Sequence, residues 1–167
     1  MIQVYTGNGK GKTTAAFGLA LRAAGAGLNV YIGQFVKGRC YHEIKALKKF
    51  GNIKVEQFGR RCFIKRAPER IDVQMALCGL RRLNGIIAQR DYQLVILDEV
   101  NIAVKFKLIS LKELLDLIER APKTMELVLT GRYAHPKIIK RADLVSKIQE
   151  VKHYYTKGVK ARRGIEF

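Results

Sequence analysis

The stretch Thr6-Gly7-Asn8-Gly9-Lys10-Gly11-Lys12-Thr13-Thr14 leaves this chain few folds to adopt. It lies between an apolar run, Ile2-Gln3-Val4-Tyr5, and a helix-like run from Ala15 to Leu21, so strand, glycine loop and helix follow one another directly. Glycines let consecutive backbone N–H groups turn toward one ligand, and a helix starting at the loop adds its positive end. A lysine and a hydroxyl then complete a triphosphate cradle, in which Lys12 reaches the outer phosphates and Thr13 offers its hydroxyl to Mg²⁺. The general pattern wants its first glycine where Thr6 stands, and Gly7 comes one residue late. A turn that merely joined a strand to a helix would not call for Gly-Lys-Thr-Thr at the helix start. The residues from Gly7 through Thr14 are therefore read as the ATP-binding loop.

With 167 residues, 48% of them hydrophobic, the chain can bury one proper core, and residues 1–167 are expected to form a single domain. The longest uncharged run, Ala23 to Val36, carries Asn29, Gln34 and three glycines and cannot span a bilayer. No basic and apolar leader precedes the first strand, which gives the expectation of a cytoplasmic protein without membrane association. Cys40, Cys62 and Cys78 lack metal-ligand spacing and are odd in number, which argues against a zinc site or a disulfide framework. The net charge of +18 points to polyanions. Much of it, however, is scattered as single Lys and Arg residues over helix faces, with a concentration between Lys37 and Arg66, and no helix-turn-helix, zinc or aromatic RNA-binding signature accompanies it. No specific nucleic-acid partner is expected.

Further strands are read at Val30 to Val36, at Ile53 to Phe58, at Leu94 to Leu97, at Leu127 to Thr130 and at Leu144 to Ile148. Pro68 suits the first turn of a long helix running to about Gln89, with Ile71, Met75, Leu77, Leu80 and Leu83 as core positions. Ser110 and Glu113 form a capping box for a helix that turns Leu111, Leu114, Leu115 and Ile118 inward. Such alternation implies an α/β fold with a mostly parallel sheet covered by helices on both faces. Ligands of these sheets sit at the carboxyl ends of strands, where the glycine loop, Asp98-Glu99 and Gly131-Arg132 can converge.

Asp98 and Glu99 follow four apolar residues and supply the carboxylates that hold Mg²⁺ or Mn²⁺ beside Thr13. Glu99 could alternatively serve as general base for water. Arg132 is a candidate clamp for phosphate oxygens, whereas His42, His135 and His153 stand apart from any catalytic partner pattern. The residues by themselves establish a Mg-nucleotide domain of the P-loop kind, open to kinase or ATPase chemistry and, given the charge, to a nucleic-acid-dependent form of either.

Gly7 to Gly18, Gln34-Phe35-Val36-Lys37-Gly38, Leu97-Asp98-Glu99, Leu129-Thr130-Gly131-Arg132, Ala142 to Val145, Val151-Lys152-His153 and the stretches Gly158 to Ala161 and Gly164 to Phe167 resemble the P-loop type of corrinoid adenosyltransferase. The resemblance runs in order over nearly the whole chain, and the loop Gly-Asn-Gly-Lys-Gly-Lys-Thr is that family's own variant. It implies a RecA-like domain in which cobalt(I) of a reduced corrinoid attacks C5′ of ATP and expels triphosphate. It further implies ATP held in the reverse of the usual orientation, Lys12 and Glu99 as catalytic residues, Thr13 and Glu99 at the metal with Asp98 beside them, a homodimer, and a reductant protein as partner. The family often packs a Gly-Phe-Thr-Trp-like segment against the corrinoid; here Arg60-Arg61-Cys62-Phe63-Ile64-Lys65 stands there, with Phe63 its nearest counterpart, Arg61 and Lys65 as basic contacts, and no Trp in the chain.

Overall fold

The computed structural model describes residues 1–39, 41–60 and 67–166. Apolar runs form strands β1 (Ile2–Thr6), β2 (Val30–Phe35), β3 (Ile53–Phe58), β4 (Leu94–Asp98), β5 (Glu126–Thr130) and β6 (Leu144–Lys147). They pair in the order β3-β2-β4-β5-β1-β6, every neighbouring pair parallel. Parallel strands need crossovers, and helices supply them: α1 (Lys12–Gly25), α2 (His42–Leu47), α3 (Arg70–Gln89), α4 (Val100–Lys105), α5 (Leu111–Arg120) and α6 (Pro136–Arg141). A 3₁₀ turn at Tyr154–Lys157 follows β6. β2 and β4 are buried at every position, whereas β6, at the edge, is exposed throughout.

Alternation along the strands divides the core in two. Ile32, Ile96 and Val128 point to the face covered by α1 and α2, where Ala16, Phe17, Ala20, Ile44 and Leu47 close over them. Val95, Leu97, Leu127 and Leu129 point to the other face, beneath Leu83 of α3, Ala103 of α4, Leu114 of α5 and Ile138 of α6. The sheet is thus dry on both sides at its centre, as its unbroken apolar strands require.

The long helix departs from the sequence expectation at its start. Pro68 lies outside it, because Glu69 acts as N-cap and forms a reciprocal capping box with Asp72. Starting there, the helix buries Ala76, Gly79, Leu80, Leu83, Ile86 and Ile87, while Ile71 is left exposed and Met75 and Leu77 only partly buried. Gly79 belongs to that face because a Cβ there would stand 2.5 Å from the Phe58 ring, so glycine sets how closely α3 approaches β3. In α5 the capping box of Ser110 and Glu113 is formed, Leu114 and Ile118 are buried, Leu117 joins them, and Leu111 and Leu115 are partly buried. Among the described residues no helix is long and apolar enough to cross a membrane.

Candidate active site

The strand order places β4 between β2 and β5, with β1 on the far side of β5, so the loops leaving these four strands open on one edge of the sheet. Asp98, the last residue of β4, is wholly buried there and serves as the hub. Its Oδ1 accepts hydrogen bonds from Thr13 Oγ1 at 2.8 Å and Thr130 Oγ1 at 2.7 Å, and its Oδ2 accepts from Gln34 Nε2 at 2.8 Å and Lys37 Nζ at 3.3 Å. One carboxylate thereby ties together the start of α1, the ends of β2 and β5, and the turn after β2. Behind it, Gln57 Nε2 donates to Gln34 Oε1 at 2.7 Å and to the Arg39 carbonyl at 2.9 Å, fixing which way the buried Gln34 amide faces.

Glu99 follows with a left-handed backbone, φ 59°, and its N–H donates to Thr130 Oγ1 at 3.0 Å. Left-handed non-glycine residues concentrate where a side chain must be re-aimed at a functional site. Its Oε1 lies 3.6 Å from Lys37 Nζ. Burial is the largest influence on both carboxyl groups. At Asp98 it is outweighed by the Lys37 charge and by hydrogen bonds from Gln34, Thr130 and Thr13, which hold the group below the usual carboxylate range. Glu99 is pushed up by burial, the Asp98 charge adding to the rise and Lys37 only partly opposing it. Two neighbouring carboxyls driven apart in this way favour one extra proton or one extra cation.

Lys12 is 7% exposed, and its ammonium turns back into the loop to donate to the Gly9 carbonyl at 2.6 Å. Burial holds its pKa below the ordinary lysine value. Gly9 N–H is held by the Ile148 carbonyl at 2.9 Å, which stitches the loop to the segment after β6. Lys10 faces away from Lys12: its ammonium meets Tyr154 Oη at 2.7 Å, Glu166 Oε1 at 2.8 Å and the Ile165 carbonyl at 3.3 Å. Arg132 is exposed on the rim of an open cleft whose walls include Gly7, Asn8, Tyr133 and Lys147. Thr14 is exposed at the opening of α1. Arg61, Phe63 and Lys65 lie outside the described residues.

Among the described residues no three His, Cys, Asp or Glu side chains gather as metal ligands. The donors at hand are instead two carboxylates and the Thr13 hydroxyl, an all-oxygen set suited to a hard cation that completes its shell with phosphate and water. An ammonium already stands among these oxygens, so the donor set fits a cation. Sequence reasoning gave no role to Gln34, Gln57, Thr130 or Lys37. The available signals were the lone amide in the buried strand β2 and the stretches Gln34 to Gly38 and Leu129 to Arg132, which carry the family resemblance.

The family model for ATP:corrinoid adenosyltransferase BtuR/CobO/CobP matches residues 1–167. A corrinoid adenosyltransferase of Pseudomonas aeruginosa is 32% identical over 185 residues, spanning 100% of this chain and 83% of its own length. The corrinoid adenosyltransferase CobA of Salmonella typhimurium is 33% identical over 167 residues, spanning 100% of this chain and 85% of its own. Among solved structures, a KaiC-like protein from Pyrococcus horikoshii superposes with a TM-score of 0.57 at 19% identity, covering 90% of this chain and 74% of that one. That likeness is one of fold, and it agrees with the RecA-like P-loop architecture.

Proposed function

The chain belongs to the ATP:corrinoid adenosyltransferase family BtuR/CobO/CobP, which transfers the adenosyl group of ATP to a cobalt corrinoid, and we propose that the phosphate loop and the Asp98 cluster hold ATP for that transfer. In this reading cobalt(I) of the reduced corrinoid brings the electron pair, a cobalt–carbon bond forms at C5′, the C5′–O bond breaks, and triphosphate leaves with that bond's electrons. No proton moves from the nucleophile, which agrees with the lack of an assigned base among the histidines. The kinase or ATPase alternative is not favoured.

The protein's work is then positioning and charge. Lys12 and the amides of Gly7 to Thr14 receive the triphosphate; the ammonium exchanges the Gly9 carbonyl for phosphate oxygen. Thr13, Glu99 and Asp98 would hold Mg²⁺ or Mn²⁺, which when bound neutralises phosphate charge. Asp98 also keeps Thr13 and the Gln34 amide in place through the hydrogen bonds it accepts from them. With ATP reversed in the loop, its nucleoside end faces the cleft beside Gly7, Asn8, Arg132 and Tyr133. Arg61, Phe63 and Lys65 remain proposed corrinoid contacts on the resemblance alone. A homodimer, a reductant protein and a cytoplasmic setting complete the proposal; the exposed β6 edge gives a second copy an unpaired surface, and the free thiol of Cys78 suits a reducing compartment.

The observation that carries this reading is the whole-chain family match together with Lys12, Thr13 and Asp98 brought to one sheet edge. Anaerobic incubation with ATP and reduced cobalamin tests it. The corrinoid spectrum should change while triphosphate appears in equal amount; ADP and orthophosphate released without corrinoid would overturn it.

A further inference from the structure

Lys37 stands where the proposed metal would. Its ammonium is 3.3 Å from Thr13 Oγ1, 3.3 Å from Asp98 Oδ2 and 3.6 Å from Glu99 Oε1, so it meets all three side chains named as ligands. The backbone is bent to bring it there. Val36 has φ 63°, a left-handed conformation that is a genuine outlier for a β-branched residue, and Lys37 N–H donates back to the Phe35 carbonyl at 2.7 Å. This turn is pressed against the turn leaving β3. A Cβ on Gly38 would stand 2.1 Å from the Gly59 carbonyl oxygen, and one on Gly59 would stand 2.5 Å from Lys37 N. A solvated surface lysine needs neither a strained valine nor two glycines in backbone contact.

We propose that Lys37 is an exchangeable counter-cation. In the nucleotide-free protein it neutralises the Asp98 and Glu99 pair; a divalent cation arriving with ATP displaces it, and the released ammonium turns to the triphosphate. The inference rests on the metal-site reading above. Both cations cannot use the same oxygens, since the ammonium fills the space between them and like charges a few ångströms apart repel. The displaced ammonium needs no backbone movement, because the lysine stem is flexible and the side chain is 23% exposed at the mouth of the site. Two consequences follow for chemistry. The site does not collect a metal ion without substrate, and a charge is delivered to the leaving group as the C5′–O bond breaks.

Manganese binding reads the exchange without any turnover. Mn²⁺ binding to nucleotide-free protein, followed by electron paramagnetic resonance, should tighten at least about fivefold in Lys37→Met, while affinity for ATP in the presence of Mn²⁺ falls by a similar factor. Lys37→Arg, which keeps the charge, should leave nucleotide-free Mn²⁺ binding near that of the unaltered protein, and circular dichroism verifies that both variants fold. Mn²⁺ binding that is unchanged, weaker or undetectable in folded Lys37→Met overturns the proposal. Glu99→Gln separates the two readings: if it leaves Mn²⁺ binding intact with ATP present, the metal site itself is wrong, and if it weakens that binding while Lys37→Met changes nothing, only the exchange is wrong.

Discussion

Lys12 and Lys10 show what a residue's place in a motif does and does not reveal. Both lie in the glycine loop, yet one is buried beside the Gly9 carbonyl and the other is held outside by Tyr154 and Glu166. Lys12→Ala should cut adenosyl transfer on the order of a hundredfold or more, the effect of losing one preorganised charge contact. It should change unfolding free energy by no more than about 1 kcal/mol, since burial already disfavours the ammonium and a single loop carbonyl is its hydrogen-bond partner. Steady-state rates with a urea titration check both; a folded variant with near-normal turnover would remove Lys12 from the site. Lys12, Thr13, Asp98 and Glu99 were legible because each sits beside its own signal, a glycine loop or a strand end. Gln34, Thr130 and Lys37 were not, because each is a lone side chain, Gln34 and Lys37 from the end of β2 and the turn after it and Thr130 from the end of β5. Only the strand order, which spacing along the chain does not encode, brings them to one carboxylate.

Strands were legible from their apolar runs, even β6, whose four residues are all exposed. The bounds of β3 match the alternating run Ile53 to Phe58, and the capping box of α5 fixed that helix's start. Helices α2, α4 and α6, six residues each, bury too few side chains to leave a periodic pattern; α2 buries only Ile44 and Leu47. In α3 Leu80 and Leu83 are buried as expected, but Ala76 and Gly79 were missed because a search for large apolar side chains passes over small residues at contact positions. Gly79→Ala tests that contact. Adding a methyl group 2.5 Å from the Phe58 ring must displace the ring or the helix, at a cost of about 1 to 3 kcal/mol. A chemical denaturation midpoint that does not fall would show that α3 can shift freely.

For the whole molecule, ion pairs such as Arg82 with Glu56 and Arg141 with Glu119 leave a net charge of +18 spread over the surface. That field should retain DNA at low salt without selecting a sequence, and retention should collapse as salt rises from about 50 to 200 mM. Adenosyl transfer should be indifferent to added DNA or RNA; stimulation at physiological salt would mean that nucleic acid is a functional partner. The sheet order carries a different consequence, one of time. β1 pairs with β5 and β6, bringing Ile2 beside Leu127 and Gln3 beside Leu144. During synthesis β1 must therefore wait, apolar and unpartnered, until β5 and β6 have left the ribosome, and contacts between such distant segments form slowly. The phosphate loop is made before the strands that set it, so a chain interrupted ahead of β5 carries the motif without its geometry.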